Sequence, residues 1–246
     1  MKFGLIAVLL LTAFLSVSNA SADTFAQAAQ QKIEETRKAG CEKPDSSLAE
    51  ILCRQTIRFG VRANYRLFGE FANKEFKGFE IDLSHLLAKR LGVNAVLFPV
   101  TASDRIEKLL DRQIDVVLAT MAHTVARDSV IHFIKPHYYS SPTTVVGPKG
   151  LNIQGWEDLS GKSVCVPLGN FSNIVFSQHR VRLLIYDRPD RMIDALRMGA
   201  CGMIAHDRSL LLANVFGPTA PKELSNRFEE KLSFNDVPWG IGVHKE

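Results

Sequence analysis

Short apolar segments that alternate with helix-forming segments constrain the fold more than any other feature of this sequence. In the first half, strands are predicted at 57–61, 95–100 and 114–119, and helices at 81–91 and 104–111. The last of these strands, Ile-Asp-Val-Val-Leu-Ala, is mostly apolar on both faces, as in parallel sheets that helices cover on each side. The pattern therefore predicts an α/β fold built from βα units around a mostly parallel sheet.

A second series of the same kind follows an extended connector at 138–150, which contains Pro142 and Pro148. Beyond it, strands are predicted at 163–167, 183–186 and 202–206, with helices near 172–179, 190–198 and 208–215. Two such series joined by one connector predict two α/β lobes.

The first 22 residues have the composition of a secretory signal peptide. Lys2 precedes the apolar run 3–11, and the segment ends in Ala20-Ser21-Ala22, a small-x-small cleavage pattern. Polar residues interrupt the apolar stretch before it reaches the roughly 20 residues that a membrane helix needs. We therefore expect cleavage of 1–22 and export of a mature protein that starts near Asp23 and carries no N-terminal lipid.

Export also determines how the four cysteines are interpreted. Thiols in an oxidising compartment are usually paired, and four cysteines allow three connectivities. Pairing within each local set, Cys41 with Cys53 and Cys165 with Cys201, is the most economical arrangement, and four buried free thiols are the alternative. The first pair lies in an N-terminal extension at 23–55, where a surface helix is predicted at 24–38.

Charge and motif content argue against several functions. The formal net charge is +4 without a basic tract of five or more, so nucleic acid is not an expected partner. The seven histidines include no His-Glu-x-x-His motif, and the close pair His132 and His137 has no evident carboxylate partner. A Gly-x-Ser-x-Gly elbow, a phosphate-binding loop and a dinucleotide fingerprint are also missing from the sequence. We therefore expect no catalytic residues, no metal and no cofactor.

Five motifs in one order give the sequence a resemblance to a known family. They are Gly78-Phe79-Glu80-Ile81-Asp82-Leu83 with 87–92, Ile114-Asp115-Val116-Val117, Thr124-Val125-Ala126-Arg127 with Phe133-Ile134-Lys135-Pro136, Asp158-Leu159-Ser160-Gly161-Lys162-Ser163-Val164, and Ala195-Leu196-Arg197-Met198-Gly199 before Ile204-Ala205-His206-Asp207. Over residues 56–243 the chain resembles the bacterial extracellular solute-binding proteins of family 3, the periplasmic receptors of amino acid ABC transporters.

The resemblance implies a two-lobed periplasmic-binding-protein-like (type II) fold with a ligand cleft between the lobes. Lobe 1 is expected at 56–140, lobe 2 at 141–238 including the first connector, and a return strand to lobe 1 at 239–246. The first crossing is expected at 138–147. Relatives continue with helices that complete the first lobe, and these C-terminal helices are expected to be missing here.

The resemblance also implies that Arg127 and Asp207 bind the two charged groups of a free amino acid. An arginine can bind a carboxylate through two parallel hydrogen bonds, and a carboxylate can pair with an ammonium group. Thr124 is predicted to cap the helix that carries Arg127. A surface arginine, and an aspartate that only caps the helix after 207, are the alternatives.

The remaining contacts that the resemblance implies surround this pair. They are Tyr65 and Phe68 stacking over the ligand, Thr120 and the Ala122 backbone N–H binding its amine and carboxylate, and Asn170 and Phe171 in the second lobe. Core packing is the alternative for the aromatic pair, above all for Phe68. A Cys165–Cys201 disulfide occurs in a subset of relatives and would steady the strand before Asp207.

The implied function is a monomeric periplasmic receptor that passes an amino acid to an ABC transporter permease in the inner membrane. One alternative is an exported cyclohexadienyl or arogenate-type dehydratase on the same scaffold, for which His206 or His123 are the acid–base candidates. A ligand-sensing module that signals without transport is the other.

Overall fold

The computed structural model describes residues 23–24 and 26–245, so the predicted signal peptide at 1–22 lies outside the described residues. The chain divides between Gln55 and Thr56 into two compact units.

The described part of the first unit contains two helices and one disulfide. Helix α1 covers 26–38 and helix α2 is Ser47–Arg54, where the Ser46 side chain caps the start by accepting a hydrogen bond from the Ala49 N–H. The Cys41–Cys53 disulfide joins the segment after α1 to α2, with 5.6 Å between the two Cα atoms. The predicted helix at 24–38 is therefore followed by a second helix that the sequence pattern did not indicate.

The second unit contains eleven strands and most of the helices. The strands are β1 Thr56–Val61, β2 Asn64–Tyr65, β3 Gly69–Ala72, β4 Glu75–Lys77, β5 Asn94–Pro99, β6 Val116–Leu118, β7 His132–Pro148, β8 Ser163–Pro167, β9 Arg182–Tyr186, β10 Ile204–Asp207 and β11 Phe228–Val243. The helices are α3 Phe79–Leu91, α4 Arg105–Leu110, α5 Val125–Asp128, α6 Trp156–Leu159, α7 Asn173–Gln178, α8 Pro189–Arg197, α9 Arg208–Leu211 and α10 Lys222–Ser225, with a π-helix at Leu212–Phe216.

The main sheet has the strand order β5-β1-β6-β11-β7-β10-β8-β9. The three strands at each end of this order are parallel to one another and form the sheets of the two lobes. In the middle, β7 and β11 run antiparallel and pass from one lobe to the other. The predicted two-lobed α/β fold is confirmed, and the cleft lies where the lobes face each other.

Each lobe has an apolar core of its own. The first packs Leu109 of α4, with Ile114 and Met121 on either side of β6, against Ile131 and Phe133. The second is centred on Val164, Val166 and Phe176 around β8. Both cores include apolar segments from which the βα series were predicted, and the burial of those segments stabilises the fold.

The crossing ribbon is longer than the sequence predicts. β7 and β11 pair from Pro148 with Phe228 to His132 with Val243, whereas the first crossing was expected at 138–147 and the return strand at 239–246. The first part of β11, Phe-Glu-Glu-Lys-Leu-Ser-Phe-Asn-Asp, is rich in charge and shifts register at two points, so its side chains give a weak strand signal. Its strand conformation depends on backbone pairing with β7.

Candidate functional site

Arg127 extends from the first lobe into the cleft. Thr124 caps α5 as predicted, because its hydroxyl oxygen accepts a hydrogen bond from the Arg127 backbone N–H at 3.3 Å. The Arg127 guanidinium donates to the carbonyl of Ala122 at 2.9 Å and, across the cleft, to that of Gly169 at 3.5 Å. Burial lowers the pKa of Arg127 and the negative charge of Asp207 opposes that change.

Asp207 is the last residue of β10 and its side chain faces the same cleft from the second lobe. It is 6% exposed, and its Oδ2 accepts a hydrogen bond from the Tyr65 hydroxyl at 3.2 Å. Asp207 stands at the N-cap position of α9 but its side chain makes no capping hydrogen bond. The carboxylate therefore does not cap α9, which was the alternative to a ligand-binding role.

A small cavity lies between the two lobes beside Arg127 and Asp207. Six predicted ligand contacts line it: Thr120, Ala122 and Arg127 from the first lobe, and Asn170, Phe171 and Asp207 from the second. The cavity encloses about 30 Å³, which is room for roughly two water molecules. The lobes are closed on each other, since Arg127 donates to the Gly169 carbonyl and Tyr65 donates to Asp207 across the cleft.

Tyr65 and Phe68 lie in the apolar cluster behind this cavity. Tyr65 is fully buried with its ring edge-on to Phe68 and Trp239, at centroid distances of 5.5 and 5.9 Å. Phe68 also packs on Tyr139 and Trp239, at 4.9 and 5.1 Å. The structure thus places neither ring over the cavity, because both are held by edge-to-face packing with the aromatic residues of the crossing strands. Tyr65 contacts the residues of the site through its hydroxyl, on Asp207, and through its ring, against Arg62 and His206.

Comparison with known proteins identifies the family. Residues 57–239 match the bacterial extracellular solute-binding proteins, family 3. The chain belongs to this family. It is 28% identical over 216 residues to the ABC transporter glutamine-binding protein GlnH of Bacillus subtilis. The aligned region covers 85% of this chain and 77% of that protein.

Two solved structures are similar to this solute-binding protein. An ancestral arginine-binding protein bound to arginine has 30% sequence identity and a TM-score of 0.70, over 78% of this chain and 85% of that chain. An ancestral amino acid-binding protein described as a precursor of cyclohexadienyl dehydratase has a TM-score of 0.71, over 81% of this chain and 86% of that chain. Its 24% identity shows the shared fold.

Thr120 occupies a strained backbone position at the cavity. Its φ angle is +48°, which is unfavourable for a β-branched residue. Glu80 holds it there, since one carboxyl oxygen accepts hydrogen bonds from the Thr120 N–H at 2.6 Å and the Tyr138 hydroxyl at 2.5 Å. Glu80 is fully buried, and that burial raises its pKa to about 7. The motif that contains Glu80 supported the family resemblance, but this role was not predicted.

Two buried arginines also line the cavity and were not predicted. Arg62 follows β1, Arg105 begins α4, and each is 3% exposed. Arg105 donates to the carbonyls of Ala119 and Thr120, the second at 3.2 Å. Burial lowers the pKa of both, and the positive charges of Arg127 and Arg62 lower that of Arg105 further. The sequence did contain a signal that Arg62 lies at the site, because Arg62 follows the carboxyl end of a strand, where α/β sheets present ligand contacts.

The second disulfide supports the strand that carries Asp207. Cys165 of β8 is bonded to Cys201, which precedes β10, with 6.3 Å between the Cα atoms. Cys165 is also the register partner of Ile204 in β10. With Cys41–Cys53, the cysteines pair within the two local sets.

The two acid–base candidates, His206 and His123, lie in different environments. His206 lines the cavity beside Asp207. His123 lies 2.7 Å from His137 and 3.1 Å from Asp128, and it stacks on Phe133. Within residues 23–24 and 26–245, no cluster of three or more His, Cys, Asp or Glu side chains could hold a metal ion. In the same part of the chain no helix is long and apolar enough to span a membrane.

Proposed function

We propose that this solute-binding protein captures a free amino acid between its lobes and delivers it to an ABC-type transporter. The observation that carries the proposal is the opposition of Arg127 and Asp207 across one cavity. An amino acid zwitterion has a planar carboxylate that suits an arginine and an ammonium group that suits a carboxylate. Each lobe supplies one of the two charges.

Contacts from both lobes couple binding to closure. A ligand shifts a conformational equilibrium only by its difference in affinity for the two states. When the lobes separate, Arg127 and Asp207 no longer face one binding position, so the closed state binds a zwitterion more tightly. The transporter then recognises the closed shape.

The biological setting is part of the proposal. The signal peptide at 1–22 exports the chain, and a monomer with lobes at 56–140 and 141–238, joined again by the strand at 239–246, works in the periplasm with an inner-membrane permease. One relative is a glutamine-binding protein and another is an arginine-binding protein, and this supports an amino acid as the ligand class.

A thermal-shift screen of the standard amino acids and small carboxylates tests this function. A ligand that binds only the native state raises Tm by mass action, by an amount that grows with its concentration over Kd. At least one free amino acid is expected to raise Tm, and calorimetric titration should then give a stoichiometry of one. A screen in which no amino acid changes Tm or gives binding heat would contradict the proposal.

A dehydratase is the second candidate, and His206 is the observation that favours it. Its imidazole lines the cavity beside Asp207, where an acid–base group would have to be. His123, the other candidate, is instead bonded to His137 and Asp128. Turnover of a cyclohexadienyl substrate that disappears in His206→Gln would establish this activity, and a stable ligand complex without turnover would count against it.

A further inference from the structure

The cavity walls carry more positive than negative charge. Three arginines line the cavity, Arg62, Arg105 and Arg127, against two acidic side chains. One of these acids, Asp187, is exposed and paired with Arg191 at 2.8 Å. Asp207 is the buried one.

Two of these arginines retain hydrogen-bonding capacity. The Nε atoms of Arg62 and Arg105 are buried and have no hydrogen-bond partner within the described chain. A guanidinium N–H that is removed from water without a partner costs free energy, and the cost is larger for a charged group. A ligand group that accepts from these donors would recover that cost.

Glu80 balances this charge only in part. One of its oxygens is already bonded to Thr120 and Tyr138, and the other has no hydrogen-bond partner within the described residues. Its raised pKa of about 7 leaves it only partly ionised at neutral pH. If a zwitterion pairs with Arg127 and Asp207, at least one positive charge of Arg62 and Arg105 still lacks a counter-charge.

We infer that the ligand is an amino acid with an anionic side chain, whose second carboxylate is bound by Arg62 and Arg105. This inference rests on the proposed receptor function. Both guanidinium groups are planar donors that match a carboxylate, and they approach the cavity from different elements, the end of β1 and the start of α4. A side-chain amide presents one oxygen and one N–H₂ group, so its N–H₂ group, a donor, would face the N–H donors of the arginines. A cationic side chain would meet direct repulsion.

Matched pairs of ligands test the inference with the unmodified protein. Calorimetric titration compares glutamate with glutamine and aspartate with asparagine, which differ in charge but hardly in shape, and includes arginine as the cationic case. At least one acid is expected to bind about 10- to 100-fold more tightly than its amide, the effect of charge-assisted hydrogen bonds. The preference should weaken as salt is raised.

Variants test whether Arg62 produces the preference for the acid over its amide. Arg62→Gln is expected to reduce the acid-over-amide ratio about tenfold while amide affinity changes less, and Arg62→Lys should retain part of the ratio. Arg90→Gln, which removes an exposed arginine at the end of α3, is the matched control and should leave both affinities unchanged. Far-UV circular dichroism checks that each variant is folded.

The outcomes separate the two proposals. If a neutral or cationic amino acid binds as tightly as the acids, the receptor function stands and the inference of an anionic ligand fails. If Arg62→Gln keeps the full ratio, the assignment of the second carboxylate to Arg62 is wrong. If no amino acid binds at all, both proposals fail together.

Discussion

Tyr65 of the first lobe donates a hydrogen bond to the Asp207 carboxylate of the second lobe over 3.2 Å, and both side chains are buried. Its oxygen also lies 3.0 Å from the Ser209 hydroxyl. Burial and the neighbouring Asp207 charge raise the pKa of Tyr65 well above its ordinary value, so the phenol stays protonated and acts as a donor. The carboxylate proposed to bind the ligand amine is therefore oriented by the opposite lobe, and only in the closed form.

Tyr65→Phe is expected to weaken ligand binding about three- to tenfold, because the closed form loses one buried hydrogen bond. Small-angle scattering of the ligand-free variant should show a larger radius of gyration than the wild type. Tyr186→Phe, a tyrosine within the second lobe, is the control. Unchanged affinity and radius in Tyr65→Phe would show that this bond does not contribute to closure.

Arg127→Ala is expected to abolish the ligand-induced rise in Tm while the protein remains folded. The side chain is proposed to bind the ligand carboxylate, and its loss leaves that charge without its donors. Arg127→Lys should recover only part of the affinity, since a lysine lacks the planar pair of donors. If Arg127→Ala binds amino acids with wild-type affinity, the site assignment fails.

Gly169→Ala is expected to hold the lobes apart. A side-chain carbon at Gly169 would lie 2.8 Å from backbone atoms of Ala102 and Ser103 across the cleft, which is closer than packed atoms allow. Ligand affinity should fall at least about tenfold.

Gly161→Ala provides the matched control for Gly169→Ala. Gly161 has a similar φ, +73° against +78°, but a carbon added there has no neighbour within 4 Å. Both variants therefore carry a similar backbone strain, and only Gly169→Ala should lose affinity. Equal effects in the two variants would mean that strain, and not the contact between lobes, is responsible.

The buried Glu80 carboxyl makes stability depend on pH. Its pKa is raised from 4.5 to about 7 in the folded protein, so between these values the folded state holds a proton that the unfolded state has lost. The free energy of unfolding should therefore decrease as pH rises through this interval, by up to about 3 kcal/mol.

Urea denaturation at pH 5 and pH 8 measures this contribution. From pH 5 to pH 8, the free energy of unfolding of the wild type should decrease relative to that of Glu80→Gln, because glutamine does not titrate. Glu107→Gln, an exposed residue of α4, is the control and should follow the wild type. A difference between wild type and Glu80→Gln that is independent of pH would contradict the raised pKa.

Replacing Cys165 and Cys201 together with alanine is expected to lower the free energy of unfolding by about 2–4 kcal/mol, because the disulfide closes a loop of 36 residues. Ligand affinity should also fall, since the bond supports the strand that ends at Asp207. Replacing Cys41 and Cys53 instead should leave ligand affinity unchanged. Equal ligand affinity in the two double variants would argue against a supporting role for Cys165–Cys201.

The sequence by itself determined the lobes and the order of their elements. Strand β8 was predicted at the residues where it occurs, and α3, α4 and α8 within two residues of their ends, because apolar periodicity is a local property of the chain. The motifs also placed Arg127 and Asp207 at the ends of elements that face a cleft. Residues 228–238 gave no such signal, since their conformation depends on pairing with β7.

Only the tertiary structure decided which side chains meet. Arg62, Arg105 and Arg127 come from three elements of one lobe, and no local pattern states that their charges converge on Asp207 of the other. Tyr65 likewise packs edge-on against Trp239 of the crossing strand β11, a contact that no local pattern indicates. Side-chain convergence depends on strand order and on how the lobes close, and these are fixed by contacts between residues far apart in sequence.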